Sequence, residues 1–157
     1  MNQHQQVIEE FYAGFAEGNA KTMASCYHKD IVFQDPAFGK LEGQDVLDMW
    51  EMLLEKSKGN IKIEFSDVRA DELSGSAKWV AAYLFRKTNR NVVNVIQASF
   101  VFKDGLIIKH TDEFDIWKWS KQALGLLGYL LGWSAFMQQK IQKNALQSLR
   151  SYQKKKR

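Results

Sequence analysis

The sequence predicts an α+β domain in which N-terminal helices pack on a curved, mainly antiparallel sheet, followed by a C-terminal helical extension. Three observations lead there. Apolar residues recur at helical spacing up to Lys58, the period shortens to two after Gly59, and helical spacing returns from Ser120 onward. The 157 residues suffice for one packed core, and 45% apolar against 25% charged residues is an ordinary globular balance.

Val7, Ile8, Phe11, Tyr12 and Phe15 define a first helix over about 3–17, with Gly18 and Asn19 as stop residues. A short second helix follows over about 20–28. Ile31 to Asp35 alternates as a strand, and Pro36, the only proline, ends its pairing. A third helix opens at Gln44 or Asp45, with Val46, Met49, Trp50, Leu53 and Leu54 on its apolar side, and closes at Gly59. Strands are predicted over about 61–70, 77–88, 92–103 and 106–115, with turns at Ser74-Gly75, Asn89-Arg90-Asn91 and Asp104-Gly105. That spacing describes an antiparallel meander. The last helix lines up Met137, Ile141, Ala145, Leu149 and Tyr152 on one side. Residues 1–117 are thus read as the domain proper, and 118–157 as a helical extension of it ending in the basic tail Lys154 to Arg157.

Residues 118–157 hold nine of the 22 basic residues and no acid, so the extension carries +9 and the body −5. Basic charge confined to one helix and its end, with no stripe on the body, argues against nucleic acid. Docking of the amphipathic last helix on its own domain is favoured over peripheral contact with an anionic membrane. The apolar stretch Ala123 to Met137 is broken by Gly125, Gly128 and Gly132 and is too short to span a bilayer. Met1 to Phe15 lacks the pattern of a secretion signal, and the lone Cys26 reads as a buried helix residue; a cytoplasmic setting is expected. Phosphate loops, paired-cysteine spacings and helical His-Glu-x-x-His motifs are all missing, so no cofactor or metal is implied.

The chemistry lies in strand parity. Alternate residues share a face, which puts Leu106, Ile108, His110, Asp112 and Phe114 on the core side of the last strand. Asp35 shares a side with Ile31 and Phe33, Tyr83 with Trp79 and Phe85, and Asn94 with Val92, Ile96, Ala98, Phe100 and Phe102. Polar groups among large apolar ones cost stability unless partnered, and such a mixture describes a ligand pocket. A carboxyl in that setting is hard to ionise, and two facing carboxyls are harder still. The structural alternative is that His110 and Asp112 pair with each other or with backbone groups beneath the C-terminal helices, while Asp35 caps a turn before Gly39. On the other side of the fourth strand, Val93, Val95 and Val101 suggest a sheet face that joins a second subunit.

The stretches VIEEFYAGFAEGNAKTMASCY, IVFQDPAFGKLEG and KDGLIIKHTDEFDIWKW running into SKQALGLLGYLLGW resemble the SnoaL-like and ketosteroid isomerase-like branch of the nuclear transport factor 2-like superfamily. The resemblance implies a cone-shaped, cystatin-like roll. By likeness to the steroid isomerases, Asp35 stands at the general-base position, whereas their two oxyanion donors fall on Phe11 and Ala98, neither of which can donate. By likeness to limonene epoxide hydrolase, Asp112 takes the place of the base, Asp35 that of a water-binding asparagine and Phe33 that of a tyrosine; the remaining arginine and aspartate fall near Ala81 and Tyr83. The polyketide cyclases of the branch use an aspartate and a nearby histidine late in the chain, similar in kind to Asp112 and His110.

The residues and the resemblance together suggest a cofactor-independent protein that binds a small, largely apolar molecule. Asp35, Asp112 and His110 are the candidates for proton transfer, and Phe11, Phe33, Trp50, Trp79, Tyr83, Asn94 and Ala98 the candidate lining. The rival is a non-enzymatic dimeric module whose basic C-terminal helix meets a partner or membrane, with the pocket filled by the chain's own Trp117, Trp119 or Trp133.

Overall fold

The computed structural model describes residues 1–156; Arg157, the end of the basic tail, lies outside the described residues. Helix α1 (Gln3–Ala16) opens with a reciprocal cap. The Asn2 side chain accepts from the Gln5 N–H, and the Gln5 side chain accepts from the Asn2 N–H, satisfying two amides that have no partner within the helix. Ile8, Phe11, Tyr12 and Phe15 are buried, as the helical spacing predicts.

Helix α2 (Ala20–Ser25) ends earlier than predicted, and strand β1 (Tyr27–Asp35) begins earlier. Tyr27 and His28 belong to the strand because the sheet captures them: the Ile107 N–H donates to the Cys26 carbonyl, and Tyr27 lies opposite Ile107. Cys26 itself is buried, and burial pushes its thiol up to about 11, so it is a poor nucleophile. Strand β2 (Gly39–Glu42) goes unpredicted. It is short and three of its residues are Gly, Lys and Glu, but a tight turn at Pro36 folds it back antiparallel on β1.

Helix α3 (Gln44–Ser57) leads into the meander β3 (Lys62–Ala70), β4 (Ser74–Phe85), β5 (Arg90–Lys103) and β6 (Leu106–Glu113). Strand order is β2-β1-β6-β5-β4-β3, with β1 parallel to β6 and the other neighbours antiparallel. The turn expected at Ser74-Gly75 sits at Asp71–Leu73 instead. There Asp71 Oδ1 accepts from the Leu73 and Ser74 N–H groups, which moves β4 three residues toward the N-terminus. A bulge also interrupts β6, since Val101 pairs with Lys109 but Phe102 pairs with Ile107. The extra residue flips parity within the strand. Ile107 is therefore buried and Leu106 and Ile108 are only partly so, the reverse of the predicted assignment, while His110 and Asp112 stay inward.

The concave face of the sheet carries Phe33, Ala77, Trp79, Ala81, Ile96, Ala98 and Phe100, and with α1 and α3 it encloses the main core. Its outer face leaves Leu84, Val93, Val95 and Val101 41–51% exposed. Helices α4 (Ile116–Leu124), α5 (Leu126–Leu131) and α6 (Ala135–Lys156) complete the chain. Helix α4 starts four residues before the predicted Ser120, because Asp115 caps it by accepting from the Lys118 N–H. Gln122 of α4 then finishes the sheet: its side chain accepts from the Val93 N–H at 2.7 Å and donates to the Val93 carbonyl at 3.0 Å, where β6 no longer reaches β5.

Helix α6 docks on the domain. Met137, Ile141 and Leu149 are buried as predicted, and its basic end meets acidic α3 through Arg150–Asp45 at 2.9 Å and Lys156–Asp48 at 3.1 Å. Among the described residues no helix is long and apolar enough to cross a membrane.

Candidate functional site

A buried chain of hydrogen bonds runs through the floor of the cone. The Trp50 indole N–H donates to the Tyr27 hydroxyl at 2.9 Å, which leaves that hydroxyl to donate to His110 Nδ1 at 2.7 Å. With Nδ1 accepting, a neutral imidazole carries its proton on Nε2 and donates it to Asp112 Oδ1 at 2.8 Å. Trp79 donates to the same oxygen at 3.3 Å. From Trp50 to Asp112, every donor of this hydrogen-bonded chain has an acceptor. Asp112 Oδ2 receives no hydrogen bond from these partners.

His110 itself is closed off. Its ring lies 4.6 Å from that of Phe100, 5.1 Å from Phe33 and 5.5 Å from Phe11, centroid to centroid, with Trp50 stacked at 6.1 Å. None of its surface is exposed. The imidazole is thus shielded and holds the Asp112 carboxylate in place, and the Asp112 side chain is itself only 2% exposed.

Asp35 stands on the neighbouring strand β1. Continuing the parallel register from Phe33–His110 and Gln34–Thr111 brings it alongside Asp112. Its Oδ1 accepts from the Ala37 and Phe38 N–H groups at 3.0 and 2.6 Å, forming the turn around Pro36. Burial raises its pKa from 3.8 to about 7, and the charge of Asp112 adds to the rise against the two amides that lower it. Both halves of the structural alternative are thus present, the His110–Asp112 pair and the Asp35 turn cap. They coexist with the shared inward orientation.

The predicted lining residues all lie on this interior. Phe11, Phe33, Trp50, Trp79, Asn94 and Ala98 are buried, and Tyr83 is partly buried near the mouth. Ala98 sits directly opposite Asp112, where a small side chain leaves the carboxylate room. The interior is more filled than an open pocket. Trp119 of α4 donates to the Tyr83 hydroxyl at 2.8 Å and packs edge-on against Phe85, and with Ala123, Met137 and Ile141 it closes over Val92 at the mouth. Of the three tryptophans considered as plugs, Trp119 takes that position, whereas Trp117 and Trp133 are exposed. Tyr27 is the member sequence reasoning missed. The alternation that predicts the strand starts only at Ile31, and a register shift between Tyr27 and Val32 keeps it from reaching back to residue 27.

The SnoaL-like domain family matches residues 8–110, which includes both helical walls of the cone and reaches His110. The chain belongs to the SnoaL-like family. Solved structures with the same nuclear transport factor 2-like fold are similar over most of their length. A polyketide cyclase so described from Xanthomonas campestris pv. campestris aligns at TM-score 0.63 and 16% identity, covering 77% of this chain and 96% of that one. An M. tuberculosis LEH-like epoxide hydrolase aligns at 0.60 and 20% identity, covering 82% and 95%. TerC, co-crystallized with polyporic acid, aligns at 0.62 and 16% identity, covering 73% and 92%. At these identities the likeness concerns the fold. No curated relative matches the chain. The SnoaL-like match ends at residue 110, so Asp112 and the helical closure of the mouth belong to the part beyond it.

Proposed function

We propose that this SnoaL-like protein takes a small, largely apolar molecule into its cone and moves a proton on it without a cofactor, as an isomerase, cyclase or epoxide-hydrolase-like enzyme. The observation that carries the reading is the pair of carboxyls on one concave face, Asp112 fixed by the Tyr27–His110 chain and Asp35 beside it. A carboxyl that titrates near neutrality can give or take a proton at physiological pH, and the nearness of Asp112 adds to the rise that burial gives Asp35. His110 acts here as a positioning residue. Aromatic walls supply binding but no oxyanion donor at either Phe11 or Ala98, which disfavours steroid-type enolate chemistry. The mouth is covered by Trp119, so entry requires α4 to shift.

Polyporic acid, the molecule crystallized with TerC, is a suitable first probe. Titrated into the purified chain, it should quench tryptophan fluorescence, with an affinity that depends on pH through the neutral range. Asp35→Asn should flatten that dependence and Asp112→Asn should shift it. Equal affinity in all three proteins at every pH would remove the assigned roles and leave a non-enzymatic module with a filled cone.

A further inference from the structure

Residues 126–136 present an apolar surface that the fold leaves uncovered. Leu126 is 74% exposed, Leu130 54%, Trp133 65% and Phe136 72%, with Leu127 and Tyr129 also half exposed. The cause lies on the opposite side of the helix. Helix α5 packs back on α4 through Gly128 and Gly132, where an added Cβ would come within 1.9 Å of the Ser120 carbonyl oxygen and 2.6 Å of Ser120 Cβ. Only glycine fits that contact, so the large side chains of α5 point outward. This reverses the usual placement of an amphipathic helix, whose large apolar groups face the core. Exposed apolar surface of several hundred Å², rimmed by polar groups, marks an interaction site.

The rim is basic. Lys118 and Lys121 flank the patch on α4, and Lys140 and Lys143 follow it on α6. The tip of the β4–β5 hairpin adds Arg86, Lys87 and Arg90, because the Thr88 hydroxyl donates to the Ala123 carbonyl and Arg90 Nε–H to the Gln122 carbonyl at 2.7 Å. No acidic residue occurs from 116 to the end of the chain. Pairing two copies through this surface would set like charges against each other. An anionic bilayer suits it: tryptophan and tyrosine favour the headgroup level, leucine and phenylalanine the acyl boundary, and cations the lipid phosphates.

We propose that the 126–136 knob docks this protein on an anionic lipid membrane, with Leu126, Leu130, Trp133 and Phe136 entering the interface and the surrounding Arg and Lys residues meeting phosphate. The contact is peripheral and independent of the reading of the cone. It also moves the membrane contact away from the basic tail, where Arg150 and Lys156 are engaged by Asp45, Asp48 and Glu51.

The test is co-sedimentation of the full chain with vesicles of phosphatidylcholine, with and without phosphatidylglycerol. Binding should require phosphatidylglycerol, weaken as salt is raised, and fall at least about tenfold in Leu126→Glu/Leu130→Glu and in Arg86→Glu/Lys87→Glu. All four side chains are exposed, so both variants should keep the parental unfolding midpoint. Absence of binding to the anionic vesicles overturns the proposal, as does unchanged binding by the leucine variant. A parent that forms dimers, which the leucine variant dissociates, while ignoring vesicles would assign the knob to self-association instead.

Discussion

Replacing Asp35 with asparagine should stabilise the protein at alkaline pH and leave it nearly unchanged in acid. The raised carboxyl pKa makes the folded chain the stronger proton binder. Stability therefore declines as pH climbs from about 4 to about 7, and the penalty is complete above that. The interval from 3.8 to about 7 spans roughly three units of about 1.4 kcal/mol each, a ceiling of ~4 kcal/mol. Because the group is only partly enclosed, ~2–3 kcal/mol is the reasonable expectation. Asparagine keeps an oxygen for the Ala37 and Phe38 amides, so the turn around Pro36 should survive. Urea unfolding of both proteins at pH 3 and pH 8, each about a unit outside the window from 3.8 to about 7, isolates the effect, since other titrations cancel in the difference. A variant equally stable or equally destabilised at both pH values would show that Asp35 is an ordinary solvated carboxylate.

Other substitutions probe the rest of the interior. Tyr12 has a fully buried hydroxyl without a hydrogen-bond partner among the described residues, so Tyr12→Phe should be neutral or stabilising by up to ~1 kcal/mol in denaturant unfolding; a clear loss would reveal a partner for the hydroxyl. His110→Phe strands both the Tyr27 hydroxyl and the Asp112 carboxylate and should cost ~3 kcal/mol or more, whereas His110→Phe with Asp112→Leu should cost less than the sum of the single changes; additivity in that cycle would dissolve the network. Trp119→Ala should lower stability by ~3 kcal/mol yet speed the uptake of polyporic acid in stopped-flow fluorescence; slower or unchanged uptake would mean that α4 does not gate the mouth.

Much of the architecture is legible because burial follows periodicity. The spacing of Ile8, Phe11, Tyr12 and Phe15 determines α1, and alternation from Val92 to Phe102 assigns both faces of β5 without error. What escapes pattern reading is set by contacts distant in sequence. β2 is a strand only because the Asp35 turn returns it to β1, and Ser74-Gly75 is strand because Asp71 captures the turn. The bulge in β6 is invisible in DGLIIKHTDE, yet it decides that Ile107 rather than Ile108 is buried. In the candidate site, parity correctly turns His110, Asp112 and Asp35 inward. Tyr27 joins them only through a pairing 83 residues away, and the closure by Trp119 depends on a helix folding back across the mouth. Neither event leaves a local signal.

Carbon-13 NMR of the aspartate side chains follows the proximity of the two carboxyls directly, through the titration of Asp35 in the parent and in Asp112→Asn. A midpoint near 7 that falls once the neighbouring charge is gone is the predicted result. An ordinary midpoint near 4, indifferent to residue 112, would contradict it.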